Sequence, residues 1–211
     1  KVFGKPIFDY LGEHPDKARI FDAAMVGIHG RESGAILDAY DLSEFATVAD
    51  IGGGNGSQLI EILKRHTGMN GILFDLPHVI ERARGKISSS GVQDRCTLVS
   101  GSFFDAVPDG ADAYIMRHII HDWDDEKCRT ILNNCHRAMS STSKLLVIES
   151  VIPPGNDFFP GKFLDLVMML IPGGKERTED EYRTLFSECG FELTRIVPTG
   201  TDVSIIEGKK R

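Results

Sequence analysis

The stretch Val48-Ala49-Asp50-Ile51-Gly52-Gly53-Gly54-Asn55-Gly56-Ser57 decides how the rest of the chain is read. A short apolar run carries an acid near its end and breaks into glycines at alternate positions. It then leads into Leu59, Ile62 and Leu63, spaced as one face of a helix. Strand, glycine turn and helix make the opening unit of a parallel α/β sheet. The pattern repeats. Apolar runs at 71–74, 96–99, 113–116 and 145–148 alternate with amphipathic stretches, among them Cys128, Ile131, Leu132, Cys135 and Met139. The end of the chain differs. Thr178 and Glu181 form a capping box that opens a helix through Tyr182, Leu185, Phe186 and Cys189. Two strands follow, at 192–197 and 202–207, joined through Pro-Thr-Gly-Thr. The expectation is an α/β fold: a mostly parallel seven-stranded sheet, helices on both faces, and a C-terminal antiparallel hairpin.

Residues 1–45 stand outside that alternation. Ala18, Phe21, Met25 and Ile28 follow a helical spacing, Gly30 and Gly34 interrupt it, and Ile36, Leu37 and Tyr40 resume it. This predicts two or three helices over the sheet or its mouth. A further helix is expected over 163–171.

Composition narrows the partners. The 211 residues are 41% hydrophobic and carry a net charge of −7, from 24 Lys+Arg against 31 Asp+Glu. A surface of that sign repels phosphate backbones and anionic lipid, which argues against nucleic acid and membranes. No apolar run approaches the roughly 18 residues of a spanning helix, and the start has no signal-peptide pattern. Cys96, Cys128, Cys135 and Cys189 form no CxxC pair, so reduced thiols and a cytoplasmic location are expected. The first residue is Lys1, not methionine, which reads as part of a longer protein.

In open α/β sheets, ligands bind beyond the carboxyl ends of the strands. Five polar or glycine-rich features fall at five strand ends: the Asp50–Gly56 turn, Asp75, Gly101-Ser102-Phe103-Phe104-Asp105, the run from Arg117 to Trp123, and Glu149. One edge of the sheet is therefore the expected site. A dinucleotide fingerprint needs Gly-x-Gly-x-x-Gly, and here the third position is Ser57. The spacing acidic-x-Gly-x-Gly-x-Gly is matched fully by Asp50, Gly52, Gly54 and Gly56. Alternate glycines let the backbone approach a ligand closely. An acid beside them accepts from an ammonium group, which a pyrophosphate loop does not need. That favours S-adenosylmethionine (SAM) over NAD. Asp75 suits ribose hydroxyls in either nucleotide, or simply begins the helix at Pro77. Phe103 and Trp123 are candidates to sandwich an adenine. His118 and His121 lack a convincing further ligand set, so no metal is expected. Phe21, Met25, Met168 and Met169 suit the wall of a pocket for a planar substrate. His29 and His118 are expected to line that pocket or to pack.

Taken in order, Asp50-Ile-Gly-Gly-Gly-Asn-Gly56, His121-Asp122-Trp123, Glu149 after a strand, and Pro172-Gly-Gly-Lys-Glu176-Arg-Thr178 resemble the cation-independent, SAM-dependent O-methyltransferases of the caffeic acid, acetylserotonin and hydroxyneurosporene type. The resemblance covers essentially the whole chain. It implies a Rossmann-like class I methyltransferase fold, with residues 46–211 as the SAM-binding catalytic domain and residues 1–45 as a helical segment covering the substrate side. It implies methyl transfer to a hydroxyl of a small, aromatic acceptor, with S-adenosyl-L-homocysteine as product. His121 would be the general base, with Glu149 and Glu176 holding its imidazole. It also implies contacts to SAM from the Gly52–Gly56 backbone, from Asp75 to the ribose, and from Phe103 and Arg117 around the adenine. Asp50, Ser102 and Trp123 are expected in the same cofactor site on the reading of the residues themselves.

Two departures from the family pattern stand out. Ser102 occupies a position that is often acidic. The helical domain through which family members dimerise has no counterpart, so a homodimer is expected only if the full-length chain carries it. Rival readings are a divalent-metal-dependent O-methyltransferase using Asp122, Asp124 and Asp125, a SAM-binding protein without methyl transfer, and an NAD-linked reductase.

Overall fold

Strands buried on both faces need continuous apolar runs, and each run above becomes one. The computed structural model describes residues 4–30 and 32–211, except the side chains of residues 22, 26, 28 and 29. The chain begins with helices α1 (Ile7–Glu13), α2 (Pro15–His29) and α3 (Glu32–Ala39). Next come β1 (Thr47–Ile51), α4 (Ser57–Arg65), β2 (Asn70–Asp75), α5 (Pro77–Ser88), β3 (Cys96–Ser100) and β4 (Ala113–Arg117). They are followed by α6 (Asp125–Ala138), β5 (Lys144–Glu149), β6 (Val151–Ile152) and α7 (Pro160–Leu170). The chain closes with β7 (Arg177–Thr178), α8 (Glu179–Glu188), β8 (Phe191–Pro198) and β9 (Ser204–Lys210).

Seven strands form one sheet in the order β3-β2-β1-β4-β5-β9-β8, and β9 runs antiparallel to both its neighbours. The expected hairpin is present. Its second strand starts later than the 202–207 reading because Thr199 Oγ1 donates to Val203 O at 2.6 Å and keeps the turn closed up to that point. The two-residue ladder of β6 and β7 was not expected. Gly34 does not interrupt a helix: it lies inside α3.

Side chains alternate across the sheet. Val48 joins a core with Leu59, Ile62, Leu63, Ile80 and Ile87 beneath α4 and α5. Ala49 and Ile51 join the opposite core with Ile131, Leu132, Tyr182 and Phe186 beneath α6 and α8. Strand order reverses between β1 and β4, so the turn after β1 and the segment after β4 emerge side by side. This reversal positions the site.

Near the other end of the sheet order, Glu207 is 3% exposed and accepts from Tyr40 Oη at 2.6 Å, Thr194 Oγ1 at 2.6 Å, Arg195 Nε at 2.9 Å and Lys144 Nζ at 3.1 Å. Burial opposes its charge, but these donors overcome that and hold the carboxyl down to about 2. An acid depressed in the folded state stabilises above its unfolded value, roughly 4.3, and loses that contribution as pH falls through the folded one. Urea midpoints are expected to drop between pH 6 and pH 3, and to drop less in Glu207→Gln.

Candidate active site

The turn after β1 is built on backbone angles that side chains resist: Gly52, Gly54 and Gly56 have φ of 72°, 58° and 77°. A Cβ at Gly52 would overlap Ile119 Cδ1, whereas beside Gly54 there is open space within 4 Å. The Gly54 N–H donates to Asp75 Oδ2 at 2.9 Å and the Leu76 N–H to Asp75 Oδ1 at 2.7 Å. Asp75 therefore stitches the turn to the end of β2. Asp50 is 2% exposed, and its Oδ2 has no hydrogen-bond partner among the described residues. Burial pushes its carboxyl up to about 7, against the pull of Arg117. Arg117 Nη1 donates to Gln58 Oε1 at 3.0 Å and Ser33 Oγ at 3.1 Å.

After β4 the chain passes through His118, the one non-glycine residue with positive φ among those described, at 56°. It then makes a single turn over Ile120–Asp122. Glu149, wholly buried at the end of β5, takes three successive N–H groups on Oε1: Ile119 at 3.0 Å, Ile120 at 2.6 Å and His121 at 3.2 Å. Its Oε2 accepts from Tyr182 Oη at 2.9 Å. This corrects the expectation that Glu149 holds the imidazole directly: its hydrogen bonds go to the backbone of the turn, and it acts on the ring through its charge. Glu176 does reach the ring, with Oε1 at 2.7 Å from His121 Nδ1. A proton on Nδ1 donated to that carboxylate leaves Nε2 as the accepting nitrogen. Asp122 Oδ1 lies 3.7 Å from Nε2. Burial lowers the affinity of His121 for a proton, but Glu149, Glu176 and Asp122 outweigh it and raise the ring to about 9. Burial, partly offset by His121, pushes Asp122 up to about 7.

Other expectations are rearranged. Phe103 and Trp123 meet edge-to-face, with centroids 6.1 Å apart and planes at 74°. Plates that would enclose an adenine must be parallel, so the sandwich is not formed. Trp123 instead packs with Phe104 and Phe8 at 4.9 and 5.6 Å. Ser102 Oγ accepts the Phe104 N–H at 3.2 Å. Phe21 stacks edge-on against Phe8 at 6.3 Å, which brings it toward Trp123. Met25 and Met168 are half-buried, while Met169 sits on an exposed apolar face of α7. His118 Nε2 lies 2.9 Å from Glu32 Oε2, and its ring is 5.1 Å from that of His121. The side chain of His29 lies outside the described residues.

The acidic trio of the metal-dependent rival is dispersed. Asp124 caps α6 through the Lys127 N–H, Asp125 pairs with Arg177 and Lys175, and only Asp122 faces His121. Sequence reasoning missed Glu32, Ser33, Gln58 and Tyr182. Gln58 and Tyr182 sit on the buried faces of their helices, and nothing local marks them as polar partners of Arg117 and Glu149. Gly174 and Arg177 lie within the motif that carried the resemblance, and that motif was the available signal.

A sheet of this order, with a glycine turn after β1 and an acid ending β2, defines the Rossmann-like methyltransferase class. The chain belongs to the O-methyltransferase domain family, which it matches over residues 1–192. Phenazine O-methyltransferase PhzM of Lysobacter antibioticus is 46% identical over 209 residues, covering 99% of this chain and 61% of the relative. The crystal structure of LaPhzM superposes with a TM-score of 0.96 at 45% identity, over 99% of this chain and 63% of that one. NcsB1, an O-methyltransferase from neocarzinostatin biosynthesis crystallised with SAM and 2-hydroxy-5-methyl naphthoic acid, gives a TM-score of 0.92 at 32% identity. That match covers 99% of this chain and 62% of NcsB1. The chain thus spans about three-fifths of the length of these relatives. No helix among the described residues is long and apolar enough to cross a membrane.

Proposed function

We propose that this protein transfers a methyl group from SAM to a hydroxyl of a small aromatic acceptor, with His121 Nε2 as general base. The observation that carries the reading is the His121–Glu176 contact on the same sheet edge as the glycine turn and the unpartnered Asp50 oxygen. These residues fit the cofactor. An ammonium group beside Asp50 Oδ2 would supply its missing partner, and the open side of Gly54 leaves room against the turn. Asp50, the glycine backbone and Asp75 would hold the cofactor, with Arg117, Ser102, Phe103 and Trp123 nearby in the fold. The relatives support this through PhzM, named for phenazine, and NcsB1, crystallised with SAM and a hydroxynaphthoic acid.

When bound, SAM supplies a methyl group already activated on a sulfonium. The protein's own task is to deliver an oxygen without its proton. A phenol near pKa 10 is mostly protonated at neutral pH, so Nε2 accepts the proton as attack proceeds. Glu176 fixes the tautomer through Nδ1 and, with Glu149 and Asp122, stabilises the imidazolium that forms. Residues 1–45 serve the substrate side: Glu32 meets His118, Ser33 meets Arg117, and Phe8 meets Trp123. Phe21, Met25, His118, Met168 and Met169 are assigned to the acceptor pocket. A cytoplasmic location completes the reading, with a homodimer if the full-length chain carries the family's amino-terminal helical domain. The four free cysteines agree with that location.

One observation favours a second reading. Donor atoms of His121, Glu149 and Glu176 all lie within 4.8 Å of one another, a spacing a divalent ion can use. Both Glu149 oxygens are already engaged by N–H and O–H donors, which coordination would have to displace. Radiolabelled SAM offered with a panel of hydroxylated aromatics should yield labelled product in the presence of EDTA. Transfer abolished by EDTA and restored by Mg²⁺ would move the assignment to the metal mechanism. Tight SAM binding with no product across the panel would reduce it to a binding protein. In Asp75→Ala, loss of the contact to Gly54 should chiefly weaken SAM affinity in calorimetry, and an effect confined to turnover would contradict its cofactor role.

A further inference from the structure

The turn that carries His121 is held by charges of both signs. On its N–H side, Glu149 takes the three successive donors of residues 119–121. On its carbonyl side stands Arg177, wholly buried. Its Nη1 donates to Ile120 O at 3.1 Å and its Nη2 to Trp123 O at 3.0 Å, so one guanidinium grips both ends of the turn. Asp125 Oδ1 accepts from Nη2 at 2.8 Å and from Nε at 3.2 Å, which fixes the fork from behind.

Between these anchors lies Gly174. A Cβ on it would overlap backbone atoms of His121, Asp122 and Trp123. Gly174 is not among the glycines with positive φ, so conformational freedom is not what the position requires. Close approach is. Its neighbour Gly173 is the opposite case: φ is 93° and nothing lies within 4 Å of where a Cβ would stand. Glu176, between Gly174 and Arg177, makes the contact to the ring itself. The pairing of Val151 with Arg177 registers this strap against the segment that follows β5.

We infer that Gly174 and Arg177 are positioning residues for the reaction: together they set the height and tilt of the His121 turn so that Nδ1 meets Glu176 and Nε2 is presented. The inference rests on the general-base reading of His121. Neither residue touches the reacting atoms, and both act through the backbone of residues 120–123.

The test uses Gly174→Ala, Gly173→Ala and Arg177→Lys in the full-length protein. It reads kcat, SAM affinity by calorimetry, and the titration of the His121 ring by NMR with labelled histidine, assigned by the signal lost in His121→Gln. Gly174→Ala should lower kcat by at least roughly tenfold with SAM affinity unchanged, a part of the roughly 10²–10⁴-fold that a general base contributes. Its ring midpoint should move from about 9 toward the ordinary value near 6.5, because the contact to Glu176 is lost. Arg177→Lys, which keeps the charge and loses the fork, should shift both readouts in the same direction by less. Gly173→Ala should lower the melting temperature through backbone strain and leave kcat and the ring titration in place.

A wild-type ring titration in Gly174→Ala would overturn the inference, as would an equal kcat loss in Gly173→Ala. If Gly174→Ala does not fold, the ring titration of Arg177→Lys decides by the same criterion. Full turnover in His121→Ala together with a displaced ring in Gly174→Ala would sink the general-base reading while leaving the ring's dependence on the strap established.

Discussion

Replacing His121 with alanine should cut turnover by roughly 10²–10⁴-fold, the span of general-base contributions, while SAM affinity stays near wild type. The separation follows from the architecture. The cofactor contacts assigned here lie mainly on the turn after β1 and at the end of β2, whereas His121 belongs to the turn after β4. Retained turnover in this variant would remove His121 from the mechanism. The pH profile of the wild-type protein gives a second check. A base must be unprotonated to act, and Glu149, Glu176 and Asp122 hold this ring to about 9. The kcat/KM value, which reports the free enzyme, should therefore rise from pH 6 up to about pH 9 and level off above it. A profile already flat at pH 7 would mean that the three acids do not govern the ring.

Glu149→Ala should be the most destabilising single change in the site, costing about 3–5 kcal/mol. It leaves three consecutive backbone N–H groups and the Tyr182 hydroxyl without an acceptor in a region closed to water. Against a total stability of about 5–15 kcal/mol, that is a large share. Urea unfolding followed by circular dichroism measures it directly. Glu149→Gln keeps an oxygen at Oε1 and should recover most of the loss. A Glu149→Ala protein as stable as wild type would mean that the turn is held from the Arg177 side alone.

The two roles of Glu149 mark where sequence reading stops. Position 149 was legible because it ends an apolar run and follows a strand, and the resemblance placed it beside His121. Its partners were not legible. Backbone N–H groups carry no residue identity, so a carboxylate that grips three of them looks the same in sequence as one that grips a ring. The main strands were readable for the opposite reason: burial on both faces enforces unbroken apolar runs such as 145–148. Two-residue β6 and β7 leave no such trace. Phe103 and Trp123 were recognisable as aromatic and adjacent to the site, but the angle between their planes depends on Phe8 and Phe104 packing around them. Ser33 and Gln58 become partners of Arg117 only once α3 and α4 are brought over the end of β4. Their separations of 84 and 59 residues carry no periodic signal.

The bond between Tyr40 and Glu207 joins residues 167 positions apart, the residue just after the last of the leading helices to the closing strand. Chimaeras that graft the first forty residues of one homologue onto the remainder of another will inherit only half of this lock. A donor lacking a hydroxyl at the first position would take from the buried anion at the second one of its four hydrogen-bond donors, so exchange experiments have to carry both ends or neither.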